Sequence, residues 1–305
     1  MYERILVPLD GSKLAEAVLP SVAPLARGLG ARVVLLGVDG AGGPEVRGGE
    51  PDGPGPASIR TMERGAVPLN TYLKGVKDHL AANEVEAEWS VVAGKVSKEI
   101  LDQAKEQGSD LIAMSTRGRS GLGRGIWGSV TDSVVRSSEV PVMVVGPKGA
   151  STYQSREMEI KSVVVPLDGS PLAEAVLPHV VELASRLFLE VALVRVVRLP
   201  TMAYAGFEPL PMELADIERQ MQEEAEQYLG RIARRLEGKG IGTRATVLKG
   251  PVGAQIVDYA QSTEGTMVAI STHGRSGLRR MALGSVADMV IRSPEIPVLV
   301  VRPAP

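Results

Sequence analysis

Two short clusters of residues could carry chemistry, and each occurs twice in the 305-residue chain. The first is an acidic turn at the end of an apolar run. Asp10-Gly11-Ser12 follows ILVPL, and Asp168-Gly169-Ser170 follows VVVPL. The second is a loop rich in glycine and arginine. It runs over Thr116–Trp127, with Gly118 leading to Gly128-Ser129, and again over Thr272–Leu283, with Gly274 leading to Gly284-Ser285. Glycines let a backbone approach an anion closely and turn its amides inward. A helix starting after Gly128 or Gly284 would present amides and positive potential, which favour phosphate. Ser129 and Ser285 could cap that helix or bond a phosphate oxygen. Arg117, Arg119 and Arg124, with Arg275, Arg279 and Arg280, could add charge-assisted contacts. The bland alternative for the first cluster is an Asx-turn or a helix cap. For the second it is an ordinary glycine-rich connection.

Other chemistries find less support. The three histidines are His79, His179 and His273. His273 lies in the second glycine loop, but the matching position in the first is Arg117, so the two copies share no histidine base. No His, Asp or Glu cluster has metal-ligand spacing, and the chain has no cysteine, which excludes disulfides and thiolate catalysis. A net charge of −2 argues against a nucleic-acid partner. No apolar stretch is long enough for a membrane span, and the N-terminus has no long apolar signal core. A cytoplasmic location is the expectation, and the lack of cysteine suits it.

The elements that must position these clusters also come twice. Asp10 and Asp168 are 158 positions apart, and Gly118 and Gly274 are 156 apart. A near-constant offset over matched blocks predicts one duplicated domain, at 1–148 and 159–305, joined by a linker at Gly149–Met158. Apolar runs at Ile5–Leu9 and Val163–Leu167 suit strands buried on both faces. Helical patterns follow, from Leu14 to Leu25 and from Leu172 to Leu183, with Pro20 and Pro178 predicting a kink or break. Further strands are expected at Arg32–Val38, Ala87–Val92, Asp110–Ser115 and Val142–Val145. Their counterparts are Glu190–Val197, Arg244–Leu248, Met267–Ser271 and Val298–Val301. Helices are expected within Met62–Ala82, where Pro68 and Gly75 weaken the pattern, and at Lys98–Gln107, Glu213–Leu236 and Gly253–Gln261. The copies diverge at Asp39–Ser58, where Gly and Pro predict a mobile loop, against a more apolar Arg198–Met212. Strands alternating with helices predict an α/β fold. Each half would be a five-stranded parallel sheet with helices on both faces. In such sheets ligands bind beyond the carboxyl ends of strands, where the strand order reverses. Both clusters fit that address.

With these residues in view, the chain resembles a tandem universal stress protein over nearly all of both halves. The likeness rests on the opening V-P-L-D-G-S and on the motif G-x2-G-x9-G-[ST] of the ATP-binding branch. Gly118, Gly128 and Ser129 match that motif, as do Gly274, Gly284 and Ser285, while Ser115 and Ser271 replace its first glycine. The resemblance implies two Rossmann-like domains of the adenine nucleotide alpha hydrolase-like type. It implies that each takes ATP or a related adenine nucleotide, with magnesium arriving on the phosphates. Asp10 and Asp168 would then contact the adenosine, and Val38 and Val196 would meet the base through their backbone. The role implied is that of a stress-response sensor or adaptor rather than an enzyme. The alternative is an interaction module of the same fold that binds no nucleotide. The last strands, PVMVV and PVLVVR, would pair between the halves as an internal pseudo-dimer, or between chains as a homodimer. Of the two sites, the second is the better candidate for occupancy, because of Arg279-Arg280.

Overall fold

The computed structural model describes residues 1–40, 68–116, 128–146, 157–198, 211–272, 283–293 and 296–303. The first half runs β1 (Arg4–Pro8), α1 (Lys13–Glu16), α2 (Leu19–Leu29), β2 (Arg32–Asp39), α3 (Leu69–Ala82), β3 (Ala87–Ala93), α4 (Val96–Glu106), β4 (Leu111–Ser115), α5 (Ser129–Ser137) and β5 (Val142–Val145). The second runs β6 (Ser162–Pro166), α6 (Pro171–Glu174), α7 (Leu177–Leu187), β7 (Glu190–Val197), α8 (Pro211–Glu237), β8 (Thr243–Lys249), α9 (Val252–Gln261), β9 (Thr266–Ser271), α10 (Ser285–Ile291) and β10 (Val298–Val301). Pro20 and Pro178 do break their helical patterns. A four-residue helix ends at Glu16 or Glu174, and a new one starts with proline in its first two positions, where its missing N–H costs nothing. Gly75, by contrast, does not interrupt α3, and Pro68 stands just before it as the capping residue.

The strands form one ten-stranded sheet, in the order β3-β2-β1-β4-β5-β10-β9-β6-β7-β8. Each half is parallel throughout, and the halves meet in the single antiparallel pair β5·β10, with Met143 opposite Leu299. The two five-stranded sheets are therefore continuous through their last strands, the pairing expected of PVMVV and PVLVVR. One core layer lies under α1, α2, α3 and their counterparts and includes Met143 and Leu299. The other lies under α4, α5, α9 and α10 and includes Val142, Val144, Val298 and Val300. Alternate residues of β5 and β10 thus feed opposite layers, as the two-residue period of a strand requires.

A second junction joins the halves on the α2 side of the sheet. Gly28 lets α2 and α7 come close, because a Cβ there would collide with Leu187 Cδ2 of α7 and push that side chain aside. The N-terminal segment completes the contact. Tyr2, fully buried, sets its hydroxyl 2.9 Å from His179 Nδ1. Glu182 reaches the terminal ammonium at 3.5 Å, and Arg186 donates to the carbonyls of Met1 and Leu29. The described end of the linker, Glu157 and Met158, docks beside them. Pro24 lies inside α2 and has no N–H to give the carbonyl of Pro20, four residues earlier. The amide of Met158 supplies that hydrogen bond at 2.8 Å, and Glu157 pairs with Arg27 at 2.9 Å.

This junction gives a pH dependence. Burial disfavours the imidazolium and holds His179 below its ordinary value of 6.5. Tyr2 is its hydrogen-bond partner, and the Asp110 and Glu182 charges act on Tyr2 in turn. The unfolded chain therefore binds more protons than the folded one in the window just below pH 6.5. Stability is lost as pH falls through that window, by at most about 1.4 kcal/mol per pH unit from this one group. Thermal melts between pH 7.5 and 5.5 should show the loss, and His179→Gln should flatten that part of the profile.

Candidate functional site

The sheet order puts β1 beside β4, with Ile5 opposite Leu111, and β6 beside β9, with Val163 opposite Met267. From β1 the chain crosses to β2 on one side, and from β4 it crosses to β5 on the other. The carboxyl ends of β1 and β4 thus flank the point where the strand order reverses, and β6 and β9 do the same in the second half. Asp10 follows β1 there and Ser115 ends β4. Asp168 and Ser271 take the same places in the second half.

The acidic turn resolves into both bland readings at once. Asp10 Oδ1 accepts the amide of Ser12 at 2.9 Å, which is an Asx-turn, and Ser12 Oγ accepts the amide of Ala15, which caps α1. Asp168 and Ser170 repeat both bonds, and Ser170 Oγ also donates to Asp168 at 2.6 Å. Gly11 and Gly169 hold φ values of 79° and 88°, in the left-handed region that favours glycine. Asp-Gly-Ser is therefore required by the turn itself. One carboxylate oxygen is committed to the backbone, which fixes the direction of the side chain at the crevice.

Across the crevice, the strand ends lead to α5 and α10. The amide of Gly128 donates to Thr116 O at 2.7 Å, and that of Gly284 to Thr272 O at 2.9 Å. A Cβ at Gly284 would stand 3.2 Å from that carbonyl. Both glycines are the capping residues and supply no side-chain cap. Ser129 and Ser285 are the first helical residues. The expectation that these serines cap the helix is thus corrected, because the backbone turns helical one residue too early. The first amides of α5 have no acceptor within the helix. Thr131 Oγ1 donates to the carbonyl of Ser115 at 3.0 Å and ties α5 to the end of β4. The second half has Ala287 at that position and lacks the tie. Val38 and Val196 are half-buried near the ends of β2 and β7, paired with Val92 and Leu248, with their side chains packed in the second core layer. Gly118, Gly274, the six loop arginines, His273, residues 41–58 and residues 199–210 lie outside the described residues.

Sequence reasoning missed a further pair. Tyr72 donates its hydroxyl to Glu16 Oε1 at 3.0 Å, and Tyr228 donates to Glu174 Oε1 at the same distance. Each bond fastens the long helix that follows β2 or β7 to the short helix beside the acidic turn. The repeat offsets, 158 for the glutamates and 156 for the tyrosines, were the available signal. Burial, and then the Glu174 charge, push the Tyr228 hydroxyl far above the usual tyrosine range, so it remains a donor at neutral pH. Arg195 and Arg231 stack on the Tyr228 ring at 5.2 and 5.8 Å. Among the described residues, no group of three or more His, Asp or Glu could hold a metal ion. No described helix is long and apolar enough to cross a membrane.

Comparison with known proteins agrees with this architecture. A universal stress protein of Methanocaldococcus jannaschii is 30% identical over 154 residues, which is 50% of this chain and 88% of that protein. A universal stress protein of Mycobacterium tuberculosis is 29% identical over 199 residues, which is 64% of this chain and 62% of that protein. The alignment leaves more than a third of the mycobacterial protein uncovered. Among solved structures, a universal stress protein from Archaeoglobus fulgidus covers 99% of both chains with a TM-score of 0.66 at 19% identity, a likeness of fold. The model of the universal stress protein family matches residues 1–146 and again 159–302, and with that double match the chain belongs to the universal stress protein family.

Proposed function

We propose that each half binds an adenine nucleotide, ATP foremost, at the crevice between Asp10 and α5 and between Asp168 and α10. The chain would act in the cytoplasm as a stress-response sensor or adaptor, with the two halves serving as an internal pseudo-dimer. The observation that carries this reading is the paired placement of Asp10 and Asp168 at the switch point, each facing the strand end that leads to Gly128 or Gly284. Asp10 and Asp168 would hold the adenosine, and the backbone at Val38 and Val196 would meet the base. Ser115, Gly118, Gly128 and Ser129, with Ser271, Gly274, Gly284 and Ser285, would surround the phosphates, which would bring any magnesium with them. The residues present fit such a group. Small side chains and glycines border the crevice, and the first amides of α5 have no acceptor within the helix. Binding rather than turnover is the activity proposed.

A second reading, an interaction module that takes no nucleotide, draws on one observation. The amides of Gly128 and Gly284 are already engaged by Thr116 and Thr272. Calorimetry separates the two readings. ATP should bind, and the paired Gly118→Ala and Gly274→Ala change should weaken it about tenfold or more, since an added methyl group blocks close approach of backbone to phosphate. No heat at millimolar ATP, with the variant indistinguishable from wild type, would leave only the second reading.

A further inference from the structure

The helices that border the two crevices share their packing and differ in their polar ties. Thr131, Val134 and Val135 form the buried stripe of α5, and Ala287, Val290 and Ile291 form that of α10 at the same repeat positions. Each helix also carries an i,i+4 ion pair, Asp132 with Arg136 and Asp288 with Arg292. Burial of an apolar stripe is non-directional. It holds a helix down on the sheet but does not by itself fix where the helix stands along its axis. Directional hydrogen bonds do that, and α5 has two for which α10 lacks the matching side chains.

The first tie is at the crevice end. The buried Thr131 hydroxyl donates to Ser115 O at 3.0 Å and joins the first turn of α5 to the end of β4. Ala287, at the matching place, has no hydroxyl. The second tie is at the far end and comes from the other half. β10 runs antiparallel to β5, with Val300 opposite Val142, so its end passes the place where α5 gives way to β5. There Arg302 donates to Arg136 O at 3.0 Å. That carbonyl is among the last four of α5, which have no partner within the helix. The cation also suits the negative end of the helix dipole. The residue matching Arg302 is Gly146, which has no side chain to offer α10. Thr131 and Arg136 stand about 7.5 Å apart along the axis, by the rise of a helix. Anchors at two such points fix both the axial position and the tilt of α5.

We propose that Thr131 and Arg302 are positioning residues of the first site. Neither touches the ligand. They hold the first amides of α5, those of Ser129, Val130 and Thr131, in the place where phosphate is received, so less motion is left for binding to freeze. One of the two anchors is lent by the second half of the chain. The second site, bordered by α10, lacks both. The inference rests on the nucleotide reading given above.

Hydrogen exchange of the full chain without ligand reads the two anchors independently of any nucleotide. Thr131→Val and Arg302→Gly should each speed exchange of the α5 peptide about two- to tenfold, as expected for loss of one hydrogen bond, and leave the α10 peptide unchanged. Photolabelling with 8-azido-ATP and with 8-azidoadenosine, followed by peptide mapping, then reads each half separately. In the first half both variants should weaken 8-azido-ATP about three- to tenfold and 8-azidoadenosine less than about twofold. Labelling of the second half should not change. Thr131→Ser and Arg302→Lys keep a donor and should behave as wild type. Arg302 lies at the surface, so Arg302→Gly carries the test should Thr131→Val fail to fold. Unchanged exchange in α5, equal losses of the two labels, or no loss of either would overturn the positioning role while leaving nucleotide binding intact. Wild-type protein that takes up neither label in either half would overturn both proposals.

Discussion

Leu299→Asp is expected to disconnect the two halves of the molecule. Leu299 is almost completely buried at the centre of β10, opposite Met143 of β5, with the core layer of both halves on its face of the sheet. Truncating such a side chain alone costs about 2–5 kcal/mol. A carboxylate in its place must also lose water among apolar neighbours, or take up a proton, which adds several kcal/mol more. The sum approaches the roughly 5–15 kcal/mol that holds an ordinary domain folded. Urea unfolding followed by circular dichroism should show a midpoint far below that of wild type. Leu299→Met should stay within about 1.5 kcal/mol, because it conserves volume. An aspartate variant no less stable than Leu299→Ala would show that the central pair matters little.

The double change Asp10→Asn with Asp168→Asn should abolish most adenine-nucleotide binding while leaving the fold in place. Asparagine keeps the oxygen that accepts the Ser12 or Ser170 amide, so the Asx-turn and the glycine at positive φ are undisturbed. What disappears is the charge on the second oxygen. A hydrogen bond to a charged group is worth about 1.5–3 kcal/mol, so affinity for ATP should fall about 10- to 100-fold with little change in melting temperature. Alanine at the same positions should lower both, because the turn loses its acceptor. Unchanged affinity in the asparagine variant would reduce these aspartates to turn formers.

Much of the fold was legible because its signals are local. Apolar runs such as Leu111–Ser115 and Val298–Val301 carry their strand character within four or five residues, and Pro20 ends one helix and opens the next through its own ring. Comparing the copies located the switch-point aspartates and the glycines before α5 and α10. Other features depend on contacts between distant segments. Nothing near Gly28 announces that Leu187 will lie against it, and Tyr72 and Glu16 read as ordinary members of amphipathic helices until α3 is laid beside α1. Gly128-Ser129 spells a cap equally well one residue either way, and only the backbone angles assign the capping place to glycine.

The proline at position 24 has a bearing on how the two halves come to be one object. The second half has Glu182 at the matching place, and α7 can close its own ladder of hydrogen bonds. α2 cannot, and its vacant carbonyl is filled by an amide from the far end of the linker. Duplication produced two equal units, and a single residue without an N–H made one of them dependent on the stretch of chain between them. A gene cut into its two repeats would therefore yield unequal fragments, the first still waiting for a hydrogen bond that the junction used to bring.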